Sequence, residues 1–134
     1  MTQFEQSHFH PSAFILAINM ADQSKEAIVV LMTAASREEA ARLAEMLVIG
    51  RLAACVQIMP EMESIYHWEG KVERDAEFLL LAKTTRGNFA ELERAVRDLH
   101  SYETPEIIAL SITEASAPYL EWLTNTVTRS TQET

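Results

Sequence analysis

From Ala27 to Met32 the chain reads Ala-Ile-Val-Val-Leu-Met, an apolar run rich in β-branched residues with no polar interruption. That pattern predicts a strand buried on both faces. Ser36-Arg37-Glu38-Glu39 then carries a capping-box signature, in which a hydroxyl and a carboxylate satisfy free backbone donors at a helix start. Ala40, Leu43, Ala44 and Leu47 follow at helical spacing, Glu38 and Arg42 pair on the outer face, and Gly50 supplies a stop. Leu52 to Met59 reads as a second strand, interrupted at Pro60 because proline cannot donate to a ladder. Pairing resumes from Ser64 to Trp68, with Ser64, Tyr66 and Trp68 on one face and Ile65 and His67 on the other. Glu69-Gly70 forms a hairpin turn, glycine supplying the positive φ. The return strand is polar over Val72-Glu73-Arg74-Asp75 and apolar over Phe78–Ala82, so the hairpin has an apolar base and a polar arm bearing aromatics. Phe89, Leu92, Val96 and Leu99 mark one face of a second helix, with Glu93 and Arg97 on the other. A last strand runs from Glu106 to Ile112 after Pro105, and Tyr119, Leu120, Trp122 and Leu123 anchor a C-terminal helix.

The element order is βαββαβ plus a helix. Right-handed crossovers give an α+β fold of ferredoxin-like type, an antiparallel sheet with two helices on one face. The opposite face then lacks cover and should alternate apolar and polar, yet Val29/Val30, Leu80/Leu81 and Ile107/Ile108 are apolar on both sides. Each such side chain left wet forgoes roughly 1.5–3 kcal/mol of burial. Self-association through the sheet is the economical outcome.

The 134 residues suffice for one domain, and 48% hydrophobic residues suffice for its core. We divide the chain into an N-terminal extension, residues 1–24, and a domain over 25–134. The extension holds the apolar Ala13–Ala17, with no Lys or Arg before it, and the pair His8 and His10. It lacks the charged region of a signal peptide, and Met20 offers an alternative start. A net charge of −9 without any basic run argues against a nucleic-acid partner. No stretch is long enough to span a membrane. The single Cys55 has no partner for a disulfide, which fits a reducing compartment, and we expect a cytoplasmic protein. No G-x-S-x-G, H-E-x-x-H, Walker loop or CxxC occurs, so no catalytic residue is assigned.

Five blocks, taken together, carry a resemblance. They are Leu52-Ala53-Ala54-Cys55-Val56, Ser64-Ile65-Tyr66-His67-Trp68-Glu69-Gly70-Lys71, Lys83-Thr84, His100-x-Tyr102-x-x-Pro105-Glu106-Ile107 and Tyr119-Leu120-x-Trp122. In this order, over roughly residues 27–125, the chain resembles the CutA divalent-cation-tolerance family. The resemblance implies a ferredoxin-like homotrimer whose long hairpins pair between neighbours, a similarity to PII signalling proteins, and a link to copper or other divalent cations. Some members carry a Cys where this chain has Met32, and two consecutive His where it has Leu99-His100; both changes remove candidate ligands. Ser111 and Ala115 stand where the family usually has proline and glycine.

The topology puts the end of the first strand, the end of the second helix and the start of the last strand at one edge. Met32, His100 and Glu106 are therefore the candidate metal set, His being the commonest ligand and a Met thioether suiting Cu(I). Thr33, Tyr102 and Lys83 are candidates for a ligand cleft, Lys83 lying at the opposite edge from Glu106 within one subunit. Tyr66, Trp68 and Trp122 are expected at the oligomer interface. Three readings follow: a cation-responsive binding trimer, a PII-like regulatory module that contacts a protein target, and an enzyme acting in the cleft between subunits.

Overall fold

The computed structural model describes residues 23–128. Its elements are β1 (Ala27–Ala34), α1 (Arg37–Ile49), β2 (Cys55–Ile58), β3 (Met62–Trp68), β4 (Lys71–Thr85), a 3-10 turn (Arg86–Asn88), α2 (Phe89–Leu99), β5 (Ile107–Ser111) and α3 (Ala117–Val127). Residues 1–22 of the proposed extension lie outside the described residues. Ser24, also assigned there, accepts a hydrogen bond from the Gly87 amide at 2.8 Å. A Cβ on Gly87 would come within 3.0 Å of that Ser24 carbonyl, so this approach needs glycine.

All strand pairings are antiparallel, in the order β2-β4-β1-β5 with β3 paired to β4, as a ferredoxin-like α+β fold requires. Ile28, Val30, Met32 and Ala34 of β1 project from one sheet face with Leu80 and Ala82 of β4. Leu43 and Leu47 of α1 and Leu92 and Val96 of α2 close over them, so both helices do share one face. The opposite face carries Val29, Leu31, Leu79, Leu81, Ile108 and Leu110 in register. Among the described residues one end of it is covered, where Leu123 and Val127 of α3 pack with Ala27, Ala54 and Ile112. Ile108 and Leu110 are half exposed.

The second strand is shorter than its apolar run. Leu52 and Ala53 give their amides to the Leu47 carbonyl at the end of α1, at 2.9 and 3.2 Å, so neither is free for a ladder, and pairing starts at Cys55. The left-handed residue after α1 is Arg51 (φ 58°), not Gly50 (φ −80°). At Gly50 a Cβ would sit tightly against the Met46 carbonyl, at 3.2 Å. The Arg51 guanidinium donates to the Thr126 carbonyl at 3.2 Å, tying this loop to the last turn of α3.

The return strand is one continuous element of 15 residues. Its second half pairs with β1 and β2, and its first half with β3, forming an arm closed by Glu69 (φ 50°) and Gly70 (φ 78°). Two positive φ values in a two-residue loop match the right-handed twist of the flanking strands. On α2, Leu99 does not join the buried face expected for it and stays exposed. The chain leaves helical geometry at His100 (ψ 143°), and this side chain turns inward instead.

Candidate functional site

Glu39 and His100 pin the start of the loop that follows α2. The Ser36 hydroxyl accepts the Glu39 amide at 3.1 Å, which is the first half of the capping box. The second half departs from the motif. Glu39 Oε1 accepts from the Ala35 amide at 3.3 Å and the Ser101 hydroxyl at 3.0 Å, while Oε2 accepts the Ser101 amide at 2.7 Å. Burial alone pushes the Glu39 carboxyl up, but these hydrogen bonds outweigh it and hold the group below the usual carboxylate value.

The His100 side chain is fully enclosed. Its Nε2 lies 2.7 Å from the Thr33 carbonyl oxygen, and its Nδ1 accepts the Tyr102 amide at 3.0 Å. A carbonyl can only accept and an amide can only donate, so the two contacts together require the neutral ring with hydrogen on Nε2. The expected meeting of strand and helix ends therefore occurs, with different chemistry from that of a metal cage. Neither His100 nitrogen has a spare lone pair, and Met32 is enclosed in the core among residues that include Leu80. Thr33 contributes its main-chain oxygen, and Glu106 is exposed further along. No group of three or more His, Cys, Asp and Glu side chains among the described residues is arranged to hold a metal ion.

Beyond His100 the chain runs past the arm and leaves a groove of about 630 Å³ between them. One wall is the arm face bearing Ser64, Tyr66 and Trp68, with Asp75 and Glu77 from β4; the other is Tyr102, Glu103, Thr104 and Glu106. The wall is set by register, since Ser64 opposes Asp75 and Met62 opposes Glu77. Tyr66 donates its hydroxyl to Asp75, and Tyr102 donates to Glu77 at 3.0 Å. The donated bond to Asp75 comes first among the causes that push the Tyr66 phenol up to about 12. Burial, followed by the bond to Glu77, pushes Tyr102 higher than its ordinary value. Among the described residues Glu103 and Glu106 have no side-chain hydrogen bond or ion pair.

Of the other sequence candidates, Lys83 lies between Val29 and Cys55 in the sheet and donates to Gln57. It does not reach the groove. Trp122 lies on α3, nearly half exposed, with its ring centroid 5.4 Å from that of Tyr119. Tyr66 and Trp68 are 39% and 50% exposed. Sequence reasoning missed Asp75, Glu77 and Glu103. The alternation of the hairpin could have placed the first two beside Tyr66, while nothing local marks the third.

The family model described as CutA1 divalent ion tolerance protein matches residues 28–126. The chloroplastic CutA protein of Arabidopsis thaliana is 46% identical over 122 residues, covering 90% of this chain and 67% of that one. The divalent-cation tolerance protein CutA of Thermus thermophilus is 52% identical over 95 residues, covering 71% and 92%. Among solved structures, the periplasmic divalent cation tolerance protein CutA of Archaeoglobus fulgidus superposes with a TM-score of 0.74 at 40% identity, covering 76% and 99%. These relatives span chloroplastic and periplasmic proteins, and no helix among the described residues is long and apolar enough to cross a membrane. The chain belongs to the CutA1 divalent ion tolerance family.

Proposed function

We propose that this chain works as a cytoplasmic homotrimer in tolerance of divalent cations, copper among them, and binds metal or a small ligand near its subunit interfaces without catalysing a reaction. The observation that carries the reading is the open apolar sheet face of Val29, Leu31, Leu79, Leu81, Ile108 and Leu110. A face of that kind has its natural cover in further copies of the chain. The printed names of the relatives supply the cation. Copper at His100 would need Nδ1, and Tyr102 would have to give up its amide bond there first. Solvent-facing carboxylates brought together from more than one copy meet a cation at less cost.

Light scattering on the parent should give three times the chain mass. Ile108→Asp combined with Leu110→Asp should give a folded species of lower mass. Calorimetry with Cu(I), Cu(II) and Zn(II) should show uptake by the parent that persists in His100→Ala and fails in the dissociated variant. A folded parent that is monomeric at micromolar concentration refutes the trimer, and a parent that takes up no divalent cation refutes the cation role. Loss of uptake in a trimeric His100→Ala moves the site to His100.

A further inference from the structure

The arm leaves the sheet at a bend. Ala34, the last residue of β1, opposes Phe78, and from Glu77 to Lys71 the ladder partner of β4 is β3. On the facing strand the Met59 amide donates to the Leu79 carbonyl at 2.9 Å, while Met62 opposes Glu77. Pro60 and Glu61 therefore both stand opposite Phe78, two residues against one, which is the count of a β-bulge. A bulge bends its strand and interrupts the ladder, and proline has no amide with which to restore a rung. The two-stranded ribbon beyond it has less lateral support than the body of the sheet and twists more readily.

A tie from the body crosses this root. Tyr102, on the loop after α2, donates its hydroxyl to the buried Glu77 at 3.0 Å. The other end of the tie is anchored. The Tyr102 amide donates to His100 Nδ1, and the two rings lie with centroids 4.8 Å apart. His100 is fixed in turn to the Thr33 carbonyl near the end of β1. Burial, then the bond to Glu77, holds the Tyr102 phenol above its ordinary value, so the hydroxyl stays a donor at neutral pH. The bonds from Tyr66 to Asp75 and from Arg74 to Glu63 run within the arm, where they stiffen it without setting its direction.

We propose that the Pro60-Glu61 bulge is a hinge and that Tyr102 is the strap that sets the pitch of the arm. Glu77 is the arm residue next to the hinge, so a bond there acts on direction and leaves the β3–β4 ladder alone. The consequence for assembly rests on the trimer reading. An arm of fixed pitch offers the outer edge of β3 to a neighbouring copy already aimed, which lowers the ordering cost of association.

Spin labels on Val72→Cys in the arm and Arg94→Cys on α2, both exposed positions, in a Cys55→Ala full chain, read the pitch as a distance distribution. The Ile108→Asp, Leu110→Asp background keeps neighbouring copies from holding the arm. Should the parent itself prove monomeric, the labels go into the parent, so failure of the trimer reading leaves this test standing. Tyr102→Phe, which removes the hydroxyl alone, should broaden the distribution to about twice the parent's width. Glu77→Gln keeps an acceptor and should stay narrow. Thr84→Val loses a buried hydrogen bond elsewhere in the sheet and should stay narrow too, which separates the strap from a general loss of stability. Subunit exchange between isotopically light and heavy trimers, followed by mass spectrometry, should run about tenfold faster in Tyr102→Phe than in the parent. A Tyr102→Phe distribution as narrow as the parent's overturns the strap, as does equal broadening in Thr84→Val. Unchanged exchange in a trimeric Tyr102→Phe overturns its part in assembly.

Discussion

Removing the Glu39 carboxylate offers a sharp test of how the loop after α2 is held. The side chain accepts from the Ser101 amide at 2.7 Å, the Ser101 hydroxyl at 3.0 Å and the Ala35 amide at 3.3 Å. A hydrogen bond to a charged group contributes about 1.5–3 kcal/mol net, and the longest of the three contributes less. Water reaches part of the site once the side chain is gone, so Glu39→Ala should cost about 2–4 kcal/mol. Glu39→Gln keeps one acceptor oxygen and should cost about half as much. Such losses are large beside a typical domain stability of about 5–15 kcal/mol. The pH dependence has a fixed sign. The folded carboxyl titrates below its unfolded value, so its contribution is complete above the unfolded value of about 4.3 and is lost as pH falls through the folded one. Urea titrations at pH 7 and near pH 3 should therefore show the gap between parent and Glu39→Gln shrinking on acidification. If Glu39→Gln lies within about 0.5 kcal/mol of the parent at pH 7, or the gap stays constant, the account is wrong.

Thr84 is fully buried and donates its hydroxyl to the Leu52 carbonyl at 2.7 Å, so the isosteric Thr84→Val should cost about 1–3 kcal/mol in urea unfolding by leaving that carbonyl unpaired. Asp75→Asn removes the charge that accepts the Tyr66 hydroxyl, and ultraviolet titration should show the Tyr66 midpoint falling from about 12 towards the ordinary tyrosine value. An unchanged midpoint would detach the phenol from Asp75.

The fold was legible wherever one local pattern had one outcome. The apolar run at Ala27–Met32, the helical spacing from Ala40 to Leu47 and the Glu69-Gly70 turn each specify an element without help from afar. The candidate site was legible only in half. Tyr66 and Trp68 announce themselves as aromatics on a polar arm, and register places Asp75 beside them. The other wall depends on where the 102–106 loop crosses, which is decided by Glu39 reaching Ser101 across 62 residues and by His100 reaching Thr33 across 67. His100 also shows the limit of residue type as a guide. A histidine at a helix end reads equally as cap, ligand or core, and two main-chain contacts decide the matter. At Arg51 the usual preference for glycine in the left-handed region gives way, because the guanidinium has a tether on Thr126.

The single 15-residue β4 has a bearing on how the family can vary in length. At about 3.3 Å per residue it is roughly 50 Å long, and its pairing with β1, β2 and β3 fixes its side-to-side alternation from end to end. One residue inserted near Glu77 would turn over everything on one side of the insertion, sending either Leu80 and Ala82 out of the core or Asp75 away from the groove. Insertions in matched pairs next to Glu69-Gly70 add a rung on each strand and leave the alternation intact. The arm tip is thus the place where this scaffold can grow or shrink, in steps of two residues per strand, with the body of the sheet undisturbed.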